Sequence, residues 1–182
     1  AFTFDADAEF DMGAPWYRPT QVKHLTRGAD FGWRAVTGSW PPYFPDHPDN
    51  AQPVLDIGKS SPTGVKFGTR SHFPSDYKKA FFILDWTYGR ILAVHLGPNG
   101  SGYRGRAEVF LRGRPLNVTD LDFGPDGAMY FITGGRGTQS ALYRVRYTGP
   151  KTQPPAQTTQ QKARTMNSHL LRIKRQRAAT LN

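Results

Sequence analysis

Apolar and polar residues alternate over short runs through most of the chain, the two-residue period of strands that cover one face. Phe2-Thr3-Phe4 opens in that pattern, and Pro19-Thr20-Gln21-Val22-Lys23-His24-Leu25 continues it. Glycines then bracket aromatic residues in Gly28-Ala29-Asp30-Phe31-Gly32-Trp33, which predicts rings buried against a neighbouring sheet. Further on the pattern repeats itself. Pro62-Thr63-Gly64-Val65-Lys66-Phe67-Gly68 aligns with Val118-Thr119-Asp120-Leu121-Asp122-Phe123-Gly124, Ala80–Leu84 with Ala128–Ile132, and Gly89–Leu96 with Ser140–Tyr147. Phe67 and Phe123 lie 56 positions apart and Val94 and Val145 lie 51 apart, a period that suits a four-stranded meander, one blade of a β-propeller. Gly97-Pro98-Asn99-Gly100 and Gly124-Pro125-Asp126-Gly127 carry turn chemistry, since Pro presets φ and Gly accepts positive φ, and predict tight hairpins. The reading is all-β, about two and a half blades of a propeller: two full blades and part of an earlier one. An independent β-sandwich with coincidentally similar meanders is the alternative. An isolated arc of blades leaves open edges, so closure needs more chain or self-association.

Composition agrees with short strands and many turns: of 182 residues 19 are Gly and 15 Pro, and 13% are aromatic. No apolar run reaches the ~18 residues of a membrane-spanning helix. The absence of Cys from the sequence excludes disulfides, thiolate metal sites and Cys nucleophiles within it. The net charge of +10 resembles a nucleic-acid signal until it is placed along the chain. Residues 150–182 hold seven Lys and Arg and no acid, which leaves 17 basic against 14 acidic residues over 1–149. The body is nearly balanced and the tail is basic. The tail opens as a polar, Pro-rich linker, so two regions are expected: a propeller segment over 1–149 and a Pro/Gln/Thr-rich, basic tail over 150–182, mostly disordered or a short helix from Ser168. RNA, a membrane surface or a partner helix are options for that tail, and a solvated terminus is the plainer one. Ala1 is not an initiator Met and begins inside a strand pattern, which reads as a processed or truncated piece with no visible signal segment.

The candidate chemistry is sparse. Asp5, Asp7, Glu9 and Asp11 stand two residues apart, so a strand would turn four carboxylates to one face, where water, Arg or Lys, or a hard cation such as calcium must meet them. Trp16, Tyr17 and Arg18 combine planar rings with a fixed fork of donors, suited either to a sugar or planar cofactor or to anchoring a corner of the core. In Leu84-Asp85-Trp86-Thr87 an Asp ends an apolar run, either as a buried acceptor for loop amides or as a ligand contact. Gly134-Gly135-Arg136-Gly137-Thr138 lacks a following helix pattern and is therefore not a phosphate loop. The five His show no metal-ligand spacing; His24, on its alternating strand, would serve as a general base only if the fold placed it on an axis.

Asp11-Met12-Gly13, Pro15-Trp16-Tyr17-Arg18-Pro19-Thr20, Gly28-Ala29-Asp30-Phe31-Gly32-Trp33-Arg34, Ser61-Pro62-Thr63-Gly64, Phe82-Ile83-Leu84-Asp85-Trp86 and Gly124-Pro125-Asp126-Gly127-Ala128-Met129-Tyr130 resemble the propeller of bacterial membrane-bound dehydrogenases. That group falls in the glucose/sorbosone dehydrogenase superfamily, and the resemblance runs from about Phe2 to Gly149. It implies the C-terminal part of a six-bladed propeller, in exported (periplasmic or extracellular) proteins where helical repeats and a cytochrome-like haem domain can follow. It further implies pyrroloquinoline quinone and calcium at one end of the propeller, and a proton-accepting His upstream of Ala1. Where the quinoproteins carry Lys this chain has Thr87, and where they carry an Arg-x-Arg-Asp run it has Asn117-Val118-Thr119-Asp120.

Two functions follow as expectations. In the first, Trp16, Tyr17, Arg18, Asp85, Trp86, Asp120 and Arg136 line a pocket for a carbohydrate-like ligand in an oxidoreductase whose electrons pass to a quinone or haem domain, with this piece inactive alone. In the second, the propeller is a non-catalytic module that binds polysaccharide or a partner domain. Nucleic-acid binding through the tail ranks last and predicts affinity that falls steeply with salt.

Overall fold

The computed structural model describes residues 1–6, 19–31 and 50–150. The chain divides into a unit of Ala1–Thr148 and a second of Gly149–Asn182; the first contains every element below. It is nearly all β, with three antiparallel sheets of consecutive strands. The first sheet holds β1 (Phe2–Asp5), β2 (Thr20–His24) and β3 (Leu55–Gly58). The second holds β4 (Pro62–Phe67), β5 (Phe81–Asp85), β6 (Arg90–Asn99) and β7 (Gly102–Arg112), and the third β8 (Val118–Phe123), β9 (Met129–Gly135) and β10 (Thr138–Val145). A one-turn helix, α1 (Ser75–Lys79), lies in the link between β4 and β5.

The sequence repeat is a repeat of structure in which β4, β5 and β6 correspond in order to β8, β9 and β10. Strand β5 explains how the sheets stack. Its run Phe81-Phe82-Ile83-Leu84 is buried throughout, without alternation, because both faces of the second sheet are covered. Phe82 and Leu84 pack with Leu121, Phe123, Met129 and Phe131 of the third sheet. Phe81 and Ile83 pack with Phe4 and Val22 of the first. Burying each such side chain contributes ~1.5–3 kcal/mol before entropy is counted. Strands β4 and β8 approach so closely that a Cβ on Gly64 would lie 2.6 Å from Asp120 Oδ1 and 3.0 Å from its Cα. There Gly is a packing requirement.

Three expectations change. The run Gly97-Pro98-Asn99 is strand, not turn: β6 continues through Asn99, and the hairpin is confined to Gly100-Ser101. Beyond Val94 no residue of β5 pairs with β6, and Pro98 stands one step from the hairpin's closing pair, so its missing N–H faces no partner and costs nothing. Second, of the two full four-stranded units expected, only the second sheet shows four strands among the described residues. Third, the sequence reading gave no position to the fourth strand, β7, and did not include α1. Arg104, Arg106, Glu108 and Arg112 stand at a two-residue period along β7, a row of charges that suits an edge strand kept from self-pairing; the signal for α1 was Pro74-Ser75-Asp76 before Lys78-Lys79, a one-turn version of the charge bias at helix ends.

Candidate functional site

Pairing directions bring the links 59–61, 86–89 and 113–117 and the hairpin 136–137 to one end of the second and third sheets. Hydrogen bonds tie those links into a continuous layer. Trp86 N donates to Ser61 O at 2.9 Å, and Gly134 N to Asn117 O at 2.9 Å. The Asn117 side-chain amide donates to Trp86 O at 3.1 Å. The Trp86 indole N–H donates to Gly134 O at 2.8 Å. The β9–β10 hairpin is a two-residue turn whose central residues, Arg136 (φ 50) and Gly137 (φ 76), both lie in the left-handed region, the geometry whose twist matches its flanking strands. This turn carries the Arg136 guanidinium to 5.7 Å from the centre of the Trp86 ring.

Trp86 and Arg136 are thus brought together, by a turn and an indole hydrogen bond that sequence alone does not relate. Asp85 is fully buried. Its Oδ1 accepts from Ser61 N at 2.9 Å, with Tyr88 N at 3.4 Å, and its Oδ2 from Arg90 Nε at 2.7 Å. Of the two roles open to it, this geometry is that of the buried acceptor holding loop amides. Asp120 is exposed on β8, and its carboxylate accepts from the adjacent Leu121 N. Trp16, Tyr17 and Arg18 lie outside the described residues, as do Asp7, Glu9 and Asp11. Asp5, the remaining member of the acidic row, is met by Lys23, whose Nζ is 2.6 Å from Oδ2 and lies over the Phe31 ring. Among the described residues no three His, Asp or Glu gather as metal ligands would. His24 stacks on Phe2, at 4.8 Å, and meets Tyr103 edge-on. Ring packing accounts for its position.

Reasoning from sequence did not single out Asn117 as the tie between loops, nor Tyr143 and Gln139, which line a cavity beneath the hairpin. Away from this end, the Glu108 carboxylate accepts from His95 at 3.0 Å; that contact first, and the Tyr77 hydroxyl second, hold its pKa below the usual value. The same hydrogen bond to Glu108 raises the Tyr77 phenol.

This fold, three meander sheets stacked face to face, is shared with glucose dehydrogenase-like oxidoreductases. A crystal structure described as an oxidoreductase (glucose dehydrogenase) from Thermus thermophilus superposes with a TM-score of 0.56 at 20% identity, over 79% of this chain and 40% of that one. A second, described as glucose dehydrogenase, gives 0.56 at 19% identity, over 73% and 40%. The chain spans about 40% of the length of these structures. No family model and no curated protein matches the sequence.

Proposed function

We propose that the chain is part of a β-propeller related to the sugar dehydrogenases, whose loop end takes a carbohydrate-type ligand, and that by itself it turns nothing over. The observation that carries this reading is the Trp86–Arg136 pair. A part-exposed indole offers an apolar face to the C–H side of a sugar ring, and the guanidinium beside it, without an ion-pair partner among the described residues, offers donors to its hydroxyls. Trp16, Tyr17, Arg18 and Asp120 join the proposal as further contacts, while Asp85 acts by holding the loop that carries Trp86. Oxidation of the sugar, with electrons passing to a quinone or haem domain, belongs to the longer exported protein the resemblance implies.

A second reading, a non-catalytic binding module, is favoured by three positions. Thr87 and Thr119 are neutral, and the Thr119 hydroxyl donates to Ile132 O at 3.2 Å. Asn117 is neutral too and gives one of its two amide N–H groups to Trp86 O. These residues do not fit pyrroloquinoline quinone, whose carboxylates require cations for strong pairing. Calorimetric titration of the full chain with neutral mono- and oligosaccharides tests the binding that both readings share: saturable heat that weakens at least tenfold in Arg136→Gln is expected, and its absence overturns the carbohydrate reading. Quinone and calcium added to the complete propeller with sugar and a redox dye separate the two. Saturable, calcium-dependent quinone binding with dye reduction supports the oxidoreductase, and no binding at high micromolar quinone leaves the binding module.

A further inference from the structure

We propose a second ligand site, a subsite for one uncharged sugar ring in the cavity beneath the β9–β10 hairpin; it rests on the carbohydrate reading above, and neither Trp86 nor Arg136 lines it. The cavity measures about 250 Å³ and is lined by Pro115, Asn117, Thr133, Gln139 and Tyr143, with the short Thr138 and Ala141 between them. It falls below the ~300–1,000 Å³ of sites for drug-sized molecules, which leaves room for a single ring. No charged side chain lines it. An ionised ligand would enter without a counter-charge, at a cost that neutral hydroxyls do not incur.

The polar groups in it are left over from the fold. Asn117 has committed one of its two amide N–H groups to Trp86 O and keeps Oδ1 as an acceptor. Thr133 is 8% exposed, and neither its hydroxyl nor the Gln139 amide makes a hydrogen bond among the described residues. An acceptor, a hydroxyl and an amide thus share one small cavity, the complement of a ring bearing several hydroxyls. Tyr143 supplies the aromatic wall: Phe131 stacks on it at 4.9 Å with the planes 15° apart, which fixes its orientation, while the residue stays 42% exposed. Fixed rings with low conformational freedom make good platforms for such contacts.

The test is a titration of the isotopically labelled full chain with methyl β-glucopyranoside, followed by backbone NMR shifts, in the native sequence and in Tyr143→Leu, Gln139→Leu and Arg136→Gln. Both Tyr143 and Gln139 are exposed enough for these variants to fold, which an unchanged spectrum elsewhere verifies. Two sets of saturable shifts are expected: one at residues 115–117, 133 and 138–143, weakened at least tenfold by Tyr143→Leu and by Gln139→Leu but kept in Arg136→Gln, and a separate one around Trp86 that Arg136→Gln weakens. Shifts that survive both cavity variants and vanish in Arg136→Gln overturn this subsite and leave the loop-end reading standing. Shifts that depend on the cavity alone uphold the subsite and count against the loop-end pair. The absence of any glycoside binding overturns both. Glucuronate, which carries one carboxylate, should bind at least tenfold more weakly than the glycoside; equal affinity overturns the assignment to neutral rings.

Discussion

Removing the Asp85 carboxylate exposes what it holds. Its two oxygens serve the Ser61 amide and the Arg90 guanidinium from a fully buried position, so Asp85→Ala leaves a buried amide and a half-buried cation without an acceptor. The expected loss is about 3–5 kcal/mol of unfolding free energy, read from urea denaturation. Arg90→Met keeps the amide contact but leaves the fully buried carboxylate without a counter-charge, and should cost a comparable amount. Trp86 argues similarly at smaller magnitude: Trp86→Phe keeps most of the ring but strands the Gly134 carbonyl, for about 1–3 kcal/mol by the same measurement. Both residues stood out in the sequence, as an acid ending an apolar run and an aromatic beside it. Their division of labour was not legible, because whether a carboxylate meets solvent or amides depends on the link 59–61, which lies more than twenty residues away along the chain.

Among the elements, the β8–β9 turn illustrates how local chemistry and packing combine. Gly124-Pro125-Asp126-Gly127 was predicted as a tight hairpin and is one. Gly127 has φ 68, a region costly to side chains, and a Cβ there would land on the His72 ring. Gly127→Ala should therefore lower Tm by several degrees, since strain and clash together exceed the ~1 kcal/mol of either conformational effect alone. Asp126 in the same turn accepts from Arg144 Nη2 at 2.6 Å and from the Tyr130 hydroxyl at 3.0 Å. That Arg144 contact, above all, holds the Asp126 pKa below its ordinary value. Asp122 is held low first by the Phe123 amide and then by Lys66, which ties β8 to β4. A carboxylate with a depressed folded pKa contributes stability that is fully present above its unfolded pKa and lost as pH falls through the folded one. The urea midpoint should accordingly be flat near neutrality and decline below the ordinary carboxylate range. Asp126→Asn should lower the neutral plateau slightly and make that acid decline shallower, because exposed pairs of this kind contribute little each.

For the molecule as a whole, the uncovered sheet face is the feature with consequences. Ile132 of β9 and Leu142 of β10 are direct cross-strand neighbours, 45% and 69% exposed, on the face opposite the core that Phe131 enters. Two apolar side chains beside an exposed strand invite association. Light scattering of the 182-residue chain should show mass growing with concentration, and Leu142→Lys should suppress that growth without lowering the urea midpoint. A monomer at all concentrations would remove the expectation.

The all-β character, the order of the repeated strands and the β8–β9 turn can be read from the residues alone, because a two-residue period and Gly/Pro punctuation are local properties that survive any arrangement of the sheets. The placement of charge is likewise written directly in the residues. Packing of the sheets against one another is what buries both faces of β5, makes Gly64 give way to Asp120 and brings Arg136 to Trp86. Each of these joins residues some forty to eighty positions apart. No local pattern encodes such contacts, since they arise when one sheet's side chains meet the next and its loops find partners for the polar groups left over.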